Sequence, residues 1–182
     1  KKDILEFYEN NLVFQMDQEV AIKQGYLSKL IYKGMIDNVD YTNITYNGFK
    51  YDVNDLNKNL IIEKRDKAII NKYEELANNR RSIAFCASIE HANHCEKIFR
   101  KKGYKTLSIH SEASKKNTDN QSLIEKFDKG NYQIAFVVDM LNEGIDIPDI
   151  ECILMLRPTE SQTILKQQLG RGLRLSPITE KK

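Results

Sequence analysis

Two arginines three residues apart, Arg171 and Arg174, stand in Gln167-Gln168-Leu169-Gly170-Arg171-Gly172-Leu173-Arg174, just past an apolar helical stretch. At this spacing two planar, permanently charged guanidinium forks can meet one phosphate group. The flanking glycines let backbone approach a ligand closely. The competing account is structural, because basic residues at a helix carboxyl end also complement its dipole. Arginine is used sparingly here: the 28 basic residues divide into 21 Lys and 7 Arg. A second candidate lies just upstream, in Val138-Asp139-Met140-Leu141-Asn142-Glu143-Gly144-Ile145-Asp146-Ile147-Pro148. It fills a connection of 13 residues between two apolar runs, close to the minimum for a parallel crossover. In open α/β sheets ligands sit at such segments, outside the strand carboxyl ends.

The elements that must position these residues can be read from Ser82 onward. Continuous apolar runs at Ile83-Ala84-Phe85-Cys86, Thr106-Leu107-Ser108-Ile109, Ile134-Ala135-Phe136-Val137-Val138 and Cys152-Ile153-Leu154-Met155-Leu156 suit parallel strands buried on both faces. Between them, 88–102 carries Ile89, Ala92, Cys95 and Phe99 on one helical face and stops at Gly103. The 118–129 stretch opens with a Thr118/Gln121 capping box and closes at Gly130. A third helix opens with Thr159 and Gln162 and ends at Gly170. Such alternation predicts right-handed crossovers and a doubly wound sheet.

The first 80 residues are less regular. The pattern predicts a strand at Leu12-Val13-Phe14-Gln15-Met16 and a brief helix over 17–24. Strands are expected at Leu30-Ile31-Tyr32 and Val39-Asp40-Tyr41, and a helix over 60–78. Length and charge limit the function classes. A chain of 182 residues can bury a core without disulfides. A net charge of +2 excludes a polybasic DNA-coating protein and an acidic disordered tail. Three scattered cysteines suit a reducing compartment. No run of about 18 apolar residues occurs, and Lys1-Lys2-Asp3 does not read as a signal peptide. A cytoplasmic location without membrane contact is expected.

Taken together, these motifs resemble the second, carboxy-terminal RecA-like lobe of superfamily-two DEAD/DEAH-type helicases and translocases. Gly144-Ile145-Asp146-Ile147-Pro148 looks like motif V of that family, and Gln167-x-x-Gly170-Arg171-x-x-Arg174 looks like motif VI. The strand ending at Ser88 looks like motif IV, and His110-Ser111 resembles a small phosphate-contact element. The wording is similar to the branch of restriction-enzyme motor subunits (type III res subunit-like), in Ile89-Glu90-His91-Ala92 and in 19–27, which resembles an interlobe connection.

The resemblance implies an α/β/α three-layer fold with a mainly parallel sheet over 81–182, and an α+β extension with the interlobe connection over 1–80. Arg171 and Arg174 would be arginine fingers on ATP, and Gln167 would sense the nucleotide. Gly144 and Asp146 would meet its ribose side. Ser88, Ser111 and the backbone near Asp139 would track nucleic-acid phosphates, in duplex DNA by preference. ATP and Mg²⁺ would be held by an amino-terminal lobe of the same parent chain. A methyltransferase or nuclease partner would fit the restriction-enzyme branch.

One absence is equally informative. No Gly-x-x-x-x-Gly-Lys-Ser/Thr occurs in the chain, so it carries no phosphate-cradling loop of its own. The rival reading is a non-catalytic α/β module that binds nucleotide or nucleic acid. His91, His94, Cys95 and Cys86 suggest zinc, but they fit an amphipathic helix better, and no metal is expected on this chain. The Tyr41, Tyr46 and Tyr51 set could stack bases, though packing around turns explains such spacing more simply.

Overall fold

The computed structural model describes residues 16–35, 39–48, 51–77, 79–110, 120–138 and 150–158. Among the described residues four strands carry the fold: β1 (Ser82–Phe85), β2 (Thr106–Ile109), β3 (Ile134–Val137) and β4 (Cys152–Met155). They form one sheet in the order β2-β3-β1-β4, with every pairing parallel. The central strands β1 and β3 are buried along their whole length, as their continuous apolar runs require. At the edge, β4 is only half-buried at each of its four residues. Its Cys152 and Leu154 still pack against one helical layer and its Ile153 and Met155 against the other, so the expectation of burial on both faces holds there in part.

Helices cover both faces. On one side lie α3 (Glu63–Ala77) and α4 (Ile89–Lys101). Their Ile69, Ile70, Tyr73, Ala77, Ala92, Cys95 and Phe99 pack with Ala84, Cys86, Ile134, Phe136 and Leu156. On the other side α5 (Asn120–Asp128) sets Phe127, with Leu123 and Ile124, against Ile83, Phe85, Leu107, Ile109, Ala135 and Val137. Alternate residues of each strand thus serve opposite layers, which gives a three-layer α/β/α arrangement. Gly103 and Gly130, at φ of +95° and +76°, follow the ends of α4 and α5, where a left-handed residue closes the helix.

The amino-terminal part departs further from expectation. A short helix, α1 (Gln18–Lys23), forms where expected and gives way to Gly25. Apart from Met16, the strand expected at 12–16 lies outside the described residues. Leu30, Ile31 and Tyr32 are 46%, 77% and 73% exposed and form no strand, since an apolar run without a partner strand gains nothing from extension. Val39-Asp40-Tyr41 is not a strand either. The Asp40 carboxylate accepts from the Thr42 N–H (3.0 Å) and hydroxyl (2.6 Å) and caps a 3₁₀ turn, Tyr41–Asn43.

The helix expected over 60–78 forms as α3, and a further helix that was not expected, α2 (Val53–Leu60), precedes it, separated at Ile61 with φ −95° and ψ 76°. The Asp52 carboxylate caps α2 by accepting from the Asn54 and Asp55 N–H groups. No helix among the described residues is long and apolar enough to cross a membrane.

Candidate functional site

Because β2, β3, β1 and β4 are parallel and in register, Ile109, Val137, Phe85 and Met155 end on one edge of the sheet. The chain leaves the sheet there four times. These exits open the segments that hold Ser111, Asp139 with Gly144 and Asp146, Ser88, and the Gln167–Arg174 motif. Of the expected site residues only Ser88 lies among the described ones. Ser111, Asp139, Gly144, Asp146, Gln167, Arg171 and Arg174 lie outside them. The residues just before two of them are fixed, however. The Val138 N–H donates to the Ile109 carbonyl at 3.3 Å, and His110 Nε2 sits 3.3 Å from Asn93 Oδ1 on α4.

Ser88 is the N-cap of α4. Its hydroxyl oxygen accepts from the His91 N–H at 2.9 Å, and the hydroxyl donates to Asn57 Oδ1 at 2.5 Å. Asn57, on α2, completes the bridge by donating from Nδ2 to Glu90 Oε2 at 2.7 Å. Ser88 and Asn57 are 6% and 7% exposed. The serine side chain is therefore engaged on both sides, and a phosphate at this helix end would meet backbone N–H groups of the first turn or displace Asn57.

Replacing Asn57 by alanine leaves a buried hydroxyl without its acceptor. The expected loss is about 1–3 kcal/mol in urea unfolding, whereas alanine at the exposed Asn54 should lie within about 0.5 kcal/mol of wild type. Equal values for the two would show the bridge to be worth nothing.

Arg65, on α3, ties the same edge together. Its guanidinium donates to the Leu156 carbonyl at the end of β4 (3.1 Å) and to the Leu60 carbonyl (3.4 Å), and lies 3.4 Å from His91 Nε2. The other ring nitrogen, His91 Nδ1, accepts from the Ala87 N–H, 3.3 Å away. A neutral imidazole accepts at one nitrogen only, so the ring serves one of these donors at a time. Beneath it, burial pushes the Cys86 thiol well up, and the nearby charges of Arg65 and Arg157 only partly oppose this. Hydrogen bonding from Cys86, and then from His91, draws Cys95 down to about 5. Both cysteines are fully buried in the helix–sheet core. Among the described residues no group of three or more His, Cys, Asp or Glu is placed to hold a metal ion.

Sequence reasoning missed Asn57 and Arg65. Asn57 carries no signal in a segment where three of eight residues are Asn. Arg65 was findable in principle as one of only 7 arginines, but nothing local shows that it bonds a carbonyl 91 positions away.

The model of the helicase conserved C-terminal domain matches residues 54–176. The chain belongs to the helicase C-terminal domain family. The match begins within α2, so it takes in Asn57, Arg65 and the whole sheet. IRC3 of Saccharomyces cerevisiae, which carries an ATP-dependent helicase name, is 33% identical over 109 residues, covering 60% of this chain and 15% of its own. The type I restriction enzyme EcoKI endonuclease subunit of Escherichia coli is 31% identical over 144 residues, 72% of this chain and 12% of its own. The chain thus spans less than a fifth of either relative. Among solved structures, the C-terminal domain of the DEAD-box protein Dbp5 superposes with a TM-score of 0.52 at 18% identity, covering 65% of this chain and 67% of that one. That likeness confirms the RecA-like fold of a helicase C-terminal domain.

Proposed function

We propose that this chain is the carboxy-terminal motor lobe of an ATP-dependent helicase or translocase that works on duplex DNA. The observation that carries the reading is the common edge of the sheet, to which four parallel strands deliver the starts of all the motif-bearing segments. A motor lobe must present its nucleotide-facing and nucleic-acid-facing groups on one such edge. The helicase names of the relatives support the ATP-dependent part of the reading, and the EcoKI name, an endonuclease subunit of a restriction enzyme, supports a DNA substrate and a nuclease assembly.

Each residue then has a physical role. Arg171 and Arg174 place positive charge on the terminal phosphate as negative charge moves toward the leaving oxygen. Gln167 senses the nucleotide, and Asp146 accepts a ribose hydroxyl hydrogen bond beside Gly144. Ser88, Ser111 and the backbone near Asp139 follow phosphates rather than bases, so the contact is independent of sequence. The phosphate-binding loop and the Mg²⁺ ligands come from an amino-terminal lobe of the parent chain, in the cytoplasm. We assign 1–80 to the interlobe connection and extension, whose last helix docks on the sheet of the 81–182 lobe.

The test is ATP hydrolysis by a longer chain that includes upstream sequence, with and without duplex DNA, beside the 182-residue chain. The longer chain should turn over ATP faster with DNA, and the 182-residue chain should stay at the buffer rate. DNA-stimulated turnover by the 182-residue chain would overturn the division of labour between lobes.

A further inference from the structure

The opposite edge of the sheet, where the strands begin, holds a feature the motor reading leaves unused. A shallow open trough of about 680 Å³ lies among Arg100, Tyr104, Lys105, Thr106, Lys126, Asn131 and Tyr132. Among the described residues three cations line it and no carboxylate does.

Its floor is fixed. Glu96, 5% exposed, binds the Arg100 guanidinium at Nε (2.8 Å) and at a second nitrogen, and accepts from the Thr106 hydroxyl at 2.8 Å. A buried carboxylate gripping two nitrogens holds the guanidinium plane in one orientation without further ordering cost. Glu96 also cancels the Arg100 charge, so the net positive charge of the trough comes from Lys105 and Lys126, both exposed.

The helix dipoles account for part of this set. Arg100 and Lys126 stand in the last turns of α4 and α5, where cations are favourable. That reason does not extend to Lys105, which precedes β2, nor to the convergence of all three on one concavity.

We propose that this trough binds phosphates of a nucleic-acid strand outside the track at the strand carboxyl ends. An open, cation-lined channel with the Tyr132 hydroxyl and the Asn131 amide on its lining fits a polyanionic backbone passing across it better than a small ligand, which an enclosed cavity would hold. The site would guide nucleic acid entering or leaving the motor and add salt-dependent affinity without sequence preference. The identity of the ligand rests on the motor reading; the cation arrangement does not.

The experiment is fluorescence anisotropy of a labelled oligonucleotide with the 182-residue chain at low salt. Wild type is compared with Lys105→Glu/Lys126→Glu and with Lys29→Glu/Lys33→Glu, which changes the net charge equally outside the trough. Equal thermal midpoints establish that all three are folded. The trough variant should bind about tenfold or more weaker, and its salt slope should fall by about 1.4–1.8, as two lost phosphate contacts require. The control pair should bind within about twofold of wild type.

Equal weakening in both variants would reduce the effect to overall charge and overturn the site. So would unchanged oligonucleotide binding in the trough variant, even if that variant loses affinity for inorganic tripolyphosphate, since the trough would then take small anions only. Failure of the motor reading shows elsewhere, in the ATP turnover of the longer chain and its Arg171→Ala variant, and leaves this binding comparison standing.

Discussion

Alanine at Arg171 in a chain containing both lobes should lower kcat for ATP hydrolysis by about 10³- to 10⁵-fold, the range arginine fingers supply. In the proposed role the guanidinium would act as charge develops on the phosphoryl oxygens, so the loss should fall on kcat and leave the KM for ATP within a few-fold. Lysine at the same position keeps the charge and loses the planar fork, and should recover only part of the rate. Arg174→Ala should fall in the same range, and the double variant should cost much less than the product of the two, because in the proposed role the pair would act on one group. Steady-state turnover at saturating duplex DNA measures all four. A decrease below tenfold, or one confined to KM, would remove both arginines from the chemistry.

The second large effect is on stability. Phe99 is fully buried, with ring centroids 5.4 Å from Tyr73, 5.7 Å from Tyr104 and 5.3 Å from Phe136. It is where α3, α4 and the sheet meet. Phe99→Ala should cost about 3–5 kcal/mol in urea unfolding, as transfer and cavity terms add. Against the roughly 5–15 kcal/mol typical of a domain, that is about a fifth of the total or more. Phe99→Leu fills much of the space and should cost clearly less. A loss below about 1 kcal/mol for the alanine variant would mean that the helices can close over the gap.

The parts of the fold legible in sequence were those with an unambiguous hydrophobic signal. Ile134-Ala135-Phe136-Val137 reads as a doubly buried strand because all four residues face a core, and in the structure they do. The Ile89, Ala92, Cys95 and Phe99 stripe reads as a helix for the same reason. Leu30-Ile31-Tyr32 carries an equally apolar signal and forms no strand, because pairing depends on a neighbour that local composition does not report. Helix α2 was missed too, since three of its eight residues are Asn, a poor helix former, and its Asp52 cap shows only in the structure.

For the site, the resemblance of the strand ending at Ser88 to motif IV pointed to that serine, and the structure adds Asn57, which engages its hydroxyl. That bond joins residues 31 apart and is a product of the tertiary fold alone.

The strand order bears on how the chain is made. No two of these strands form a hairpin, and β3 lies between β2 and β1. During synthesis from the amino terminus, β1 and β2 emerge with apolar faces and no partner until residue 137 has cleared the ribosome. For more than fifty residues of elongation the nascent chain therefore holds unpaired strands exposed to other chains. The burden on chaperones, and the yield of soluble protein, should follow the interval between the emergence of β1 and β3 more closely than the stability of the finished lobe.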